Sequence, residues 1–355
     1  MAFPTRQGTQ GLVREECEAL QARGHDVHLL CYAAAAYRAD FPFRIHRIGN
    51  FPRLGSFRSG PLPAKPLLDL RIAIRVRSLL HELLPDVVLA HHVEALAACA
   101  VPRIRARLVY HAHAALDREL PTYGLPRAVG RWAGGVEERL VRRADAVVAV
   151  SPDLAERFGG VWIPPLVSIG GFPPRSRRPD GVLYQGNLDR YQGMDVLLDA
   201  WARVVARRSE VLRIATASAP FDLVDDVARR ALSEHVLFEP LGDLASARAA
   251  LAKAAVVVVP RAVSGGFPIK LVEALAAGAP VVVSRRAAFG LENDVHARIV
   301  PDDDPSAMAD AILDLLADPD RAAKLGAAGR EHVRVRHGAA AIEALERALG
   351  VIEPV

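Results

Sequence analysis

VVVVPRAVSGGFPIKLVEALAAGAPVVVS, residues 256–284, decides the fold class of the chain. Val256 to Val259 and Val281 to Val283 are short, wholly apolar, β-branched runs, which are typical of strands covered on both faces of a parallel sheet. We therefore expect both to be central strands. A helix joins them: Pro268 suits a first helical position because its φ is already helical, and Gly278 suits the residue after the helix end.

The loop before this helix has the composition of an anion site. Gly265 and Gly266 lie where the strand's carboxyl end meets the helix start, which is where open α/β sheets bind ligands. Free N–H groups there favour a phosphate, although many such loops carry glycine only to turn. Lys270 and Arg261 add positive charge, and Glu273 on the second helical turn suits hydroxyl groups such as those of a ribose. The unit predicts a phosphate-bearing ligand.

The composition predicts a globular protein of two domains. A chain of 355 residues with 51% hydrophobic and 24% charged residues can build two full cores. The three cysteines have no CxxC spacing, so we expect buried thiols, and neither disulfides nor a zinc site. The sequence has no apolar run as long as a membrane span and no signal peptide, which predicts a cytoplasmic protein. The net charge of +4 fits acidic substrates or an anionic membrane, and 6% aromatic content argues against nucleic acid.

Strand and helix patterns alternate along the whole chain, as in a doubly wound α/β protein. Only Ala2 and Phe3 remain of an opening strand, which indicates a late start or a truncated strand. We expect a Rossmann-like domain over residues 1–165, a linker rich in Pro, Gly and Arg over 166–180, a second Rossmann-like domain over 181–335 and a C-terminal helix over 336–355. Two such sheets would face each other across a cleft, and we expect a ligand to span it.

Four segments carry a family resemblance. They are GNLDRYQGMDVLLDA (186–200), GGFPIKLVEALAAGAPVVVS (265–284), RADAVVAVSPDLAERF (143–158) and VPDDDPSAMADAILDLLADP (300–319). In order and wording they resemble the retaining nucleotide-sugar glycosyltransferases of GT-B architecture, glycosyltransferase family 4 in particular. The resemblance implies an acceptor-binding first domain and a donor-binding second domain. It also implies that a sugar moves from a nucleotide-diphosphate sugar, the co-substrate, to a hydroxyl of a glycan, lipid-linked or small-molecule acceptor, with retention and without a metal or other cofactor.

The resemblance also implies roles for individual residues. His113 matches the histidine that approaches the transferred sugar, Glu273 the glutamate that holds the donor ribose, and Gly8 the second glycine of a loop that meets the donor diphosphate and the acceptor. The catalytic candidates are His113 and Lys270; the donor-binding candidates are Gly8, Asn187, Gln192, Arg261, Gly265, Gly266, Phe267, Pro268, Ile269 and Glu273; the acceptor-side candidates are Thr9, His91, His111 and Glu119.

Three positions depart from the family pattern. Asn187 and Gln192 stand where the family usually has an Arg and a Lys that neutralise the diphosphate, and Gly265 stands where it usually has a Glu that contacts sugar hydroxyls. A charge-assisted hydrogen bond contributes about 1.5–3 kcal/mol against about 0.5–1.5 for a neutral one, so two lost cations would weaken diphosphate stabilisation. Either Lys270 or Arg261 approaches the same phosphates, or the donor differs from the usual nucleotide sugar.

Several alternatives stay open at this stage. A histidine at a strand end is more often structural than functional, and His91 with His92 would lack carboxylate or Cys partners, so no metal site is expected. The Arg-rich helical stretch Leu125–Ala144 either contacts an anionic membrane, at its inner face, or is simply solvated. The alternative functions are a catalytically degenerate GT-B homologue that serves as a binding subunit and a sugar-nucleotide epimerase of the same architecture.

Overall fold

The computed structural model of the chain describes residues 2–3, 8–33, 40–48, 65–100, 105–263 and 267–353. These residues form two compact units, one built from Met1–Leu166 with Ala339–Val355 and the other from Val167–Ser264 with Pro268–Gly338. Strands and helices alternate in both, as the sequence pattern predicts, and every strand pairing within a sheet is parallel.

The first unit contains two sheets within the described residues, of strand order β1-β2-β3 and β4-β5-β6-β7. Its elements are β1 (Ala2–Phe3), α1 (Gly8–Ala22), β2 (His28–Ala33), β3 (Arg44–Ile48), α2 (Lys65–Leu83), β4 (Val87–His91), α3 (His92–Ala100), β5 (Arg107–Ala112), α4 (Leu116–Glu119), α5 (Arg127–Val141), β6 (Ala146–Ala149), α6 (Pro152–Phe158), β7 (Val161–Trp162) and, from the end of the chain, α13 (Ala340–Leu349). Ala2 and Phe3, the two residues that the sequence leaves for an opening strand, form β1, which pairs with β2.

The C-terminal helix α13 belongs to the core of the first unit. Leu345 is fully buried in a cluster with Val109 of β5 and Val148 of β6, and Leu20 of α1 joins the same cluster. The carboxylate of Glu346, 2% exposed, accepts hydrogen bonds from the side chains of Arg23 and His25. Helix α13 therefore covers one face of the sheet that contains β5 and β6.

The second unit is a single six-stranded sheet of order β10-β9-β8-β11-β12-β13 with helices on both faces. Its elements are β8 (Asp180–Gln185), α7 (Met194–Val205), β9 (Leu212–Thr216), α8 (Phe221–Arg229), β10 (Val236–Pro240), α9 (Leu244–Lys253), β11 (Ala254–Val259), α10 (Ile269–Ala276), β12 (Val281–Ser284), β13 (Arg298–Val300), α11 (Pro305–Ala317) and α12 (Pro319–Arg334).

The two valine runs are central strands, as predicted. β11 pairs with β8 on one side and β12 on the other, and Val256 to Val259 together with Val281 to Val283 are at most 2% exposed. Alternate residues point to opposite faces of a strand; Val256 and Val258 face the cluster formed by α7 and α11, around the fully buried Trp201. β-branched residues suit such strands because both faces pack against helices.

The start of α10 differs from the sequence expectation. Pro268 is not the first helical residue; it precedes the helix, with a φ of −78° and a ψ of 87°, and α10 begins at Ile269. The ring of proline fixes φ but leaves ψ free to leave the helical region, and the Pro268 carbonyl still accepts from the N–H of Leu271 at 2.8 Å. At the other end Gly278 adopts the expected left-handed conformation, with a φ of +72°.

Candidate functional site

Lys270 lies in the first turn of α10, after the segment that follows β11. Its Nζ donates hydrogen bonds to Gln192 Oε1 at 2.5 Å and to the Tyr184 hydroxyl at 2.9 Å, and it lies 4.5 Å from the centroid of the Tyr184 ring. An ammonium group has three N–H donors. Among the residues that the structure describes, these acceptors use two of them, so one donor is left for a ligand.

Asn187 and Gln192, which stand where the resemblance expects two cations, both join the Lys270 network. Gln192 accepts from Lys270, and its Nε2 donates to Asn187 Oδ1. The Nδ2 of Asn187 donates to Asp189 Oδ2 at 2.7 Å and to the Tyr191 hydroxyl at 3.0 Å. Gln192 is only 3% exposed, so its orientation is fixed by these partners. The structure therefore brings together Lys270, Gln192 and Asn187, which are far apart in the sequence.

Arg261 places a second cation beside this network. Its guanidinium carbon lies 4.9 Å from the centroid of the Tyr191 ring, and its Nε donates to the carbonyl of Val263 at 3.1 Å. Its backbone N–H donates to Ser284 Oγ at 3.1 Å, which fixes the end of β11 against the end of β12. The arginine is buried, and burial lowers its pKa. It remains charged, because an arginine does not lose its proton in the physiological range.

The position of Lys270 controls its charge. Burial lowers the pKa of its ammonium group to about 7, the Arg261 cation adds to this lowering, and the Asp189 carboxylate opposes it. An amine with this pKa is about half charged at neutral pH. An anionic ligand beside it would favour the charged form and raise the pKa again. A negative charge beside Lys270 would therefore change its protonation state near neutral pH.

The other candidates of this segment lie on and before α10. Phe267 and Ile269 are half-buried, and Pro268 is buried. Glu273 is half-buried and follows Lys270 by three residues, a spacing that puts both on one face of the helix. The two glycines predicted to meet the phosphate, Gly265 and Gly266, lie outside the described residues.

Sequence reasoning missed the aromatic part of this network. The sequence pattern alone singles out none of Tyr184, Tyr191 and Asp189. The signal that could have found Tyr184 is its place one residue before the carboxyl end of β8, the edge at which parallel sheets bind ligands. Tyr191 directly precedes Gln192, so its proximity to the cation positions was also readable.

Three histidines of the first unit form a second cluster. His91 ends β4 and pairs in register with His111 of β5, and His113 follows His111 by two residues, which puts its side chain on the same face. His91 Nδ1 lies 3.0 Å from His113 Nε2, and the ring of His92 stacks on His113 with centroids 4.5 Å apart. His111 and His113 are 2% and 7% exposed.

Glu16 of α1 lies against this cluster, so the expectation that His91 and His92 lack a carboxylate partner was wrong for His91. Its Oε1 lies 3.3 Å from His111 Nδ1, and its Oε2 lies 3.5 Å from His91 Nε2. Burial alone would raise the pKa of the Glu16 carboxyl, but the contacts with His111 and His91 outweigh it and that pKa is lowered. Burial lowers the pKa of His91 to about 4 and the pKa of His113 also well below its ordinary value. The contacts were not readable from the sequence, because they join a helix near the start of the chain to strands that lie far along it.

The remaining acceptor-side candidates lie elsewhere on the first unit. Gly8 is the first residue of α1, and the half-buried Thr9 follows it. Glu119 ends α4, where it is half-buried and its carbonyl accepts from the Thr122 hydroxyl at 2.7 Å.

Helix α5 presents an exposed basic and aromatic surface. The indole of Trp132 is 72% exposed and Val129 is 39% exposed. The exposed arginines on or just after the helix are Arg127, Arg131, Arg139, Arg142 and Arg143. None of the helices within the described residues combines the length and the apolar character that a bilayer crossing requires.

Two family models match the chain, one on each half. The model described as Glycosyltransferase Family 4 matches residues 7–169, and the model described as Glycosyl transferases group 1 matches residues 179–318. Among curated proteins, the chain is 29% identical over 350 residues to a phosphatidyl-myo-inositol mannosyltransferase of Mycobacterium leprae, covering 94% of this chain and 90% of that protein. It is 32% identical over 193 residues to the Mycobacterium tuberculosis (strain CDC 1551 / Oshkosh) protein of the same name, covering 52% and 51%.

Solved structures show the same fold. Sucrose-phosphate synthase from Thermosynechococcus elongatus superposes with a TM-score of 0.79 at 20% identity, over 97% of this chain and 94% of that one. Anabaena HepE in complex with UDP-glucose superposes with a TM-score of 0.77 at 18% identity, over 99% and 98%. WaaG, a glycosyltransferase involved in lipopolysaccharide biosynthesis, gives 0.73 at 15% identity, over 100% and 98%. Each half of the chain is thus a glycosyltransferase domain by its family match, and the chain is a glycosyltransferase with the GT-B fold.

Proposed function

We propose that the protein transfers a hexosyl group from a nucleotide-diphosphate sugar to an acceptor hydroxyl with retention of the anomeric configuration. The observation that carries the proposal is the hydrogen bond from Lys270 to Gln192. The family resemblance assigns the positions of Gln192 and Asn187 to the cations that neutralise the donor diphosphate. Here the cation comes from α10 instead, and the two amides hold it.

The chemical task of such a site is electrostatic. When the bond between the sugar and the diphosphate breaks, negative charge grows on the leaving group and positive charge grows on the sugar ring. Lys270 offers a free N–H at the start of α10, where the helix dipole also favours an anion, and Arg261 lies close to the same network. We propose that these groups stabilise the departing diphosphate without a metal ion.

The other donor contacts follow from the same helix. Glu273 would accept from hydroxyl groups of the ribose, and the backbone around Phe267 and Ile269 would donate to the phosphate or the sugar. On the first unit, His113 is the proposed partner of the transferred sugar. UDP and UDP-glucose bound to HepE are consistent with a nucleotide-sugar donor.

For the acceptor we propose a glycan or lipid-linked hydroxyl. Two observations support this class: the curated relatives are named phosphatidyl-myo-inositol mannosyltransferases, and α5 exposes Trp132 among arginines. An amphipathic basic helix with an exposed Trp favours an anionic lipid surface. Peripheral contact of α5 with such a surface is part of the proposal.

A transfer assay tests the proposal. The purified chain is incubated with GDP-mannose, UDP-glucose or UDP-N-acetylglucosamine and with phosphatidylinositol vesicles or oligosaccharides, and release of the nucleoside diphosphate is followed. NMR of the product gives the anomeric configuration. We expect turnover with one donor, and loss of turnover in Glu273→Ala and His113→Ala; turnover that is unchanged in both variants would defeat the site assignment.

The same assay separates the alternatives. Asn187 and Gln192 at the cation positions are the observation that favours a degenerate binding subunit, which would bind the nucleotide sugar without turnover under any acceptor. A sugar-nucleotide epimerase would isomerise its substrate with no acceptor present.

A further inference from the structure

The three histidines of the first unit are close enough to share one ion. One ligand nitrogen from each of His91, His111 and His113 lies within 4.8 Å of the other two. The pairing of β4 with β5 sets His91 beside His111, and the two-residue spacing sets His113 on the same face. The strands therefore present a preformed group of three imidazoles at the carboxyl end of the sheet.

Within the described residues, not every buried polar atom of the cluster has a hydrogen-bond partner. His111 Nε2 is buried and has no hydrogen-bond partner among the residues that the structure describes, whereas His111 Nδ1 lies 3.3 Å from Glu16 Oε1. A buried polar group that lacks a partner costs about 1–3 kcal/mol. Native interiors rarely keep such an atom unless a water or an ion satisfies it. A ligand at His111 Nε2 would satisfy this atom.

We propose that His91, His111 and His113 bind one divalent transition-metal ion of the zinc class, with Glu16 orienting two of the rings. The ligand atoms would be His91 Nδ1, His111 Nε2 and His113 Nε2, because the opposite nitrogens of His91 and His111 face the Glu16 carboxylate at 3.5 and 3.3 Å. Metal-bound histidines commonly donate their second N–H to a carboxylate, which fixes the tautomer and the ring orientation.

The distances agree with such a site. Zinc–nitrogen bonds of about 2.0–2.1 Å in a tetrahedron separate two ligand nitrogens by about 3.3 Å, and His91 Nδ1 lies 3.0 Å from His113 Nε2. The other separations lie within 4.8 Å, and a bound ion would draw these nitrogens closer together. Imidazole ligands suit zinc, copper, iron and nickel, and a three-histidine set leaves a further position for water or substrate.

This inference does not rest on the proposed function. His113 binds the metal through Nε2 and keeps Nδ1 for another partner, since an imidazole has two nitrogens. A metal at this place ties α1 to β4 and β5 through Glu16 whether or not the protein transfers a sugar.

Metal binding is measured directly on the full chain, purified without a polyhistidine tag. The protein is dialysed against chelator and then titrated with Zn²⁺ in competition with a chromophoric chelator, and bound metal is counted by mass spectrometry. We expect one tight site per chain. His111→Gln should weaken binding by at least about 100-fold, and Glu16→Gln by about 10–100-fold, the usual range for a carboxylate that orients a ligand.

His46→Gln is the matched control. His46 forms another close histidine pair of the first unit, with His28 Nδ1 at 2.9 Å from His46 Nε2, but lies outside the three-histidine group. The control should keep the tight site. Equal loss in His46→Gln and His111→Gln, or a wild-type chain without a stoichiometric site, would overturn the proposal.

Cobalt spectroscopy on the wild-type chain keeps the test independent of folding in the variants. Co²⁺ bound by three histidines in a four- or five-coordinate site gives a visible absorption spectrum that aqueous Co²⁺ lacks. We expect this spectrum to saturate at one equivalent and to vanish on addition of Zn²⁺. A spectrum that stays that of aqueous Co²⁺ throughout the titration would contradict the site.

Discussion

The Nζ of Lys270 lies 2.5 Å from Gln192 Oε1, so the first turn of α10 supplies a cation to the place where the glycosyltransferase resemblance expects one from the loop after β8. Gln192 in turn donates a hydrogen bond to Asn187, and Asn187 donates one to Asp189. We therefore propose that Lys270 supplies the positive charge that the resemblance places at Asn187 and Gln192.

A charge exchange tests this relocation. Lys270→Gln removes the cation and should lower kcat/KM by about 10²-fold, the loss expected when a charge-assisted contact of about 2–3 kcal/mol disappears. The double variant Gln192→Lys, Lys270→Gln puts the cation back at the family position and should recover most of the lost rate. Steady-state kinetics of both variants check this. A double variant no faster than Lys270→Gln would contradict the exchange.

The pH dependence of nucleotide binding follows from the lowered pKa of Lys270. In the free protein this ammonium loses its proton as the pH rises through about 7, and a bound diphosphate favours the charged form and raises the pKa. Affinity for a nucleoside diphosphate should therefore be highest below pH 7 and fall by up to about tenfold per pH unit above it. Calorimetry between pH 7 and 9 measures the slope, because a terminal phosphate with a pKa of about 6 is already ionised there. Lys270→Gln should flatten it; an equal slope in this variant would assign the titration to another group.

Gly186 makes room for the lysine. A Cβ at this position would lie 2.8 Å from Lys270 Nζ, and the φ of +150° is one that other residues rarely adopt. Gly186→Ala should displace the ammonium and weaken nucleoside diphosphate binding. Gly181→Ala, near the start of β8, is the matched control: its φ is +64°, and the nearest atom to its Cβ would be Val211 O at 3.6 Å. If both variants lose affinity equally, backbone strain and not the displaced lysine is the cause.

The C-terminal helix should contribute strongly to the stability of the first unit. Leu345→Ala removes a side chain that is fully buried among residues of α1, β5 and β6, and it should lower the free energy of unfolding by about 2–5 kcal/mol. Glu343→Ala, at a half-buried position of the same helix, should change it by less than about 1 kcal/mol. Urea denaturation followed by circular dichroism measures both. Similar small effects in the two variants would show that α13 is not part of this core.

The regular part of the fold was predictable from local patterns. Apolar β-branched runs fixed the central strands at Val256 and Val281, and Gly278 marked the end of the helix between them, because burial on both faces and a left-handed φ each demand particular residue types. The exact start of that helix was not predictable, since proline fixes φ but not the ψ that places Pro268 before the first turn.

For the two sites, the sequence allowed some residues to be named but did not allow their contacts to be predicted. Lys270, Gln192 and Asn187 could each be named from the sequence, but their mutual hydrogen bonds depend on the pairing of β8 with β11. Glu16 carried no local signal at all: it lies in an amphipathic helix and meets His111 only through tertiary packing. Contacts between distant elements are set by the whole fold, and a local pattern cannot encode them.

The most direct measurement is the dissociation constant of UDP and of GDP for the wild-type chain and for Lys270→Gln, determined by calorimetry at pH 6.5. Lys253→Gln, which removes an exposed lysine at the end of α9, is the control. We expect one nucleotide to bind the wild type and the control alike, and Lys270→Gln to bind it about 10–100-fold more weakly, as the loss of one charge-assisted contact implies. Equal affinity in the wild type and Lys270→Gln would contradict the claim that this lysine holds the diphosphate.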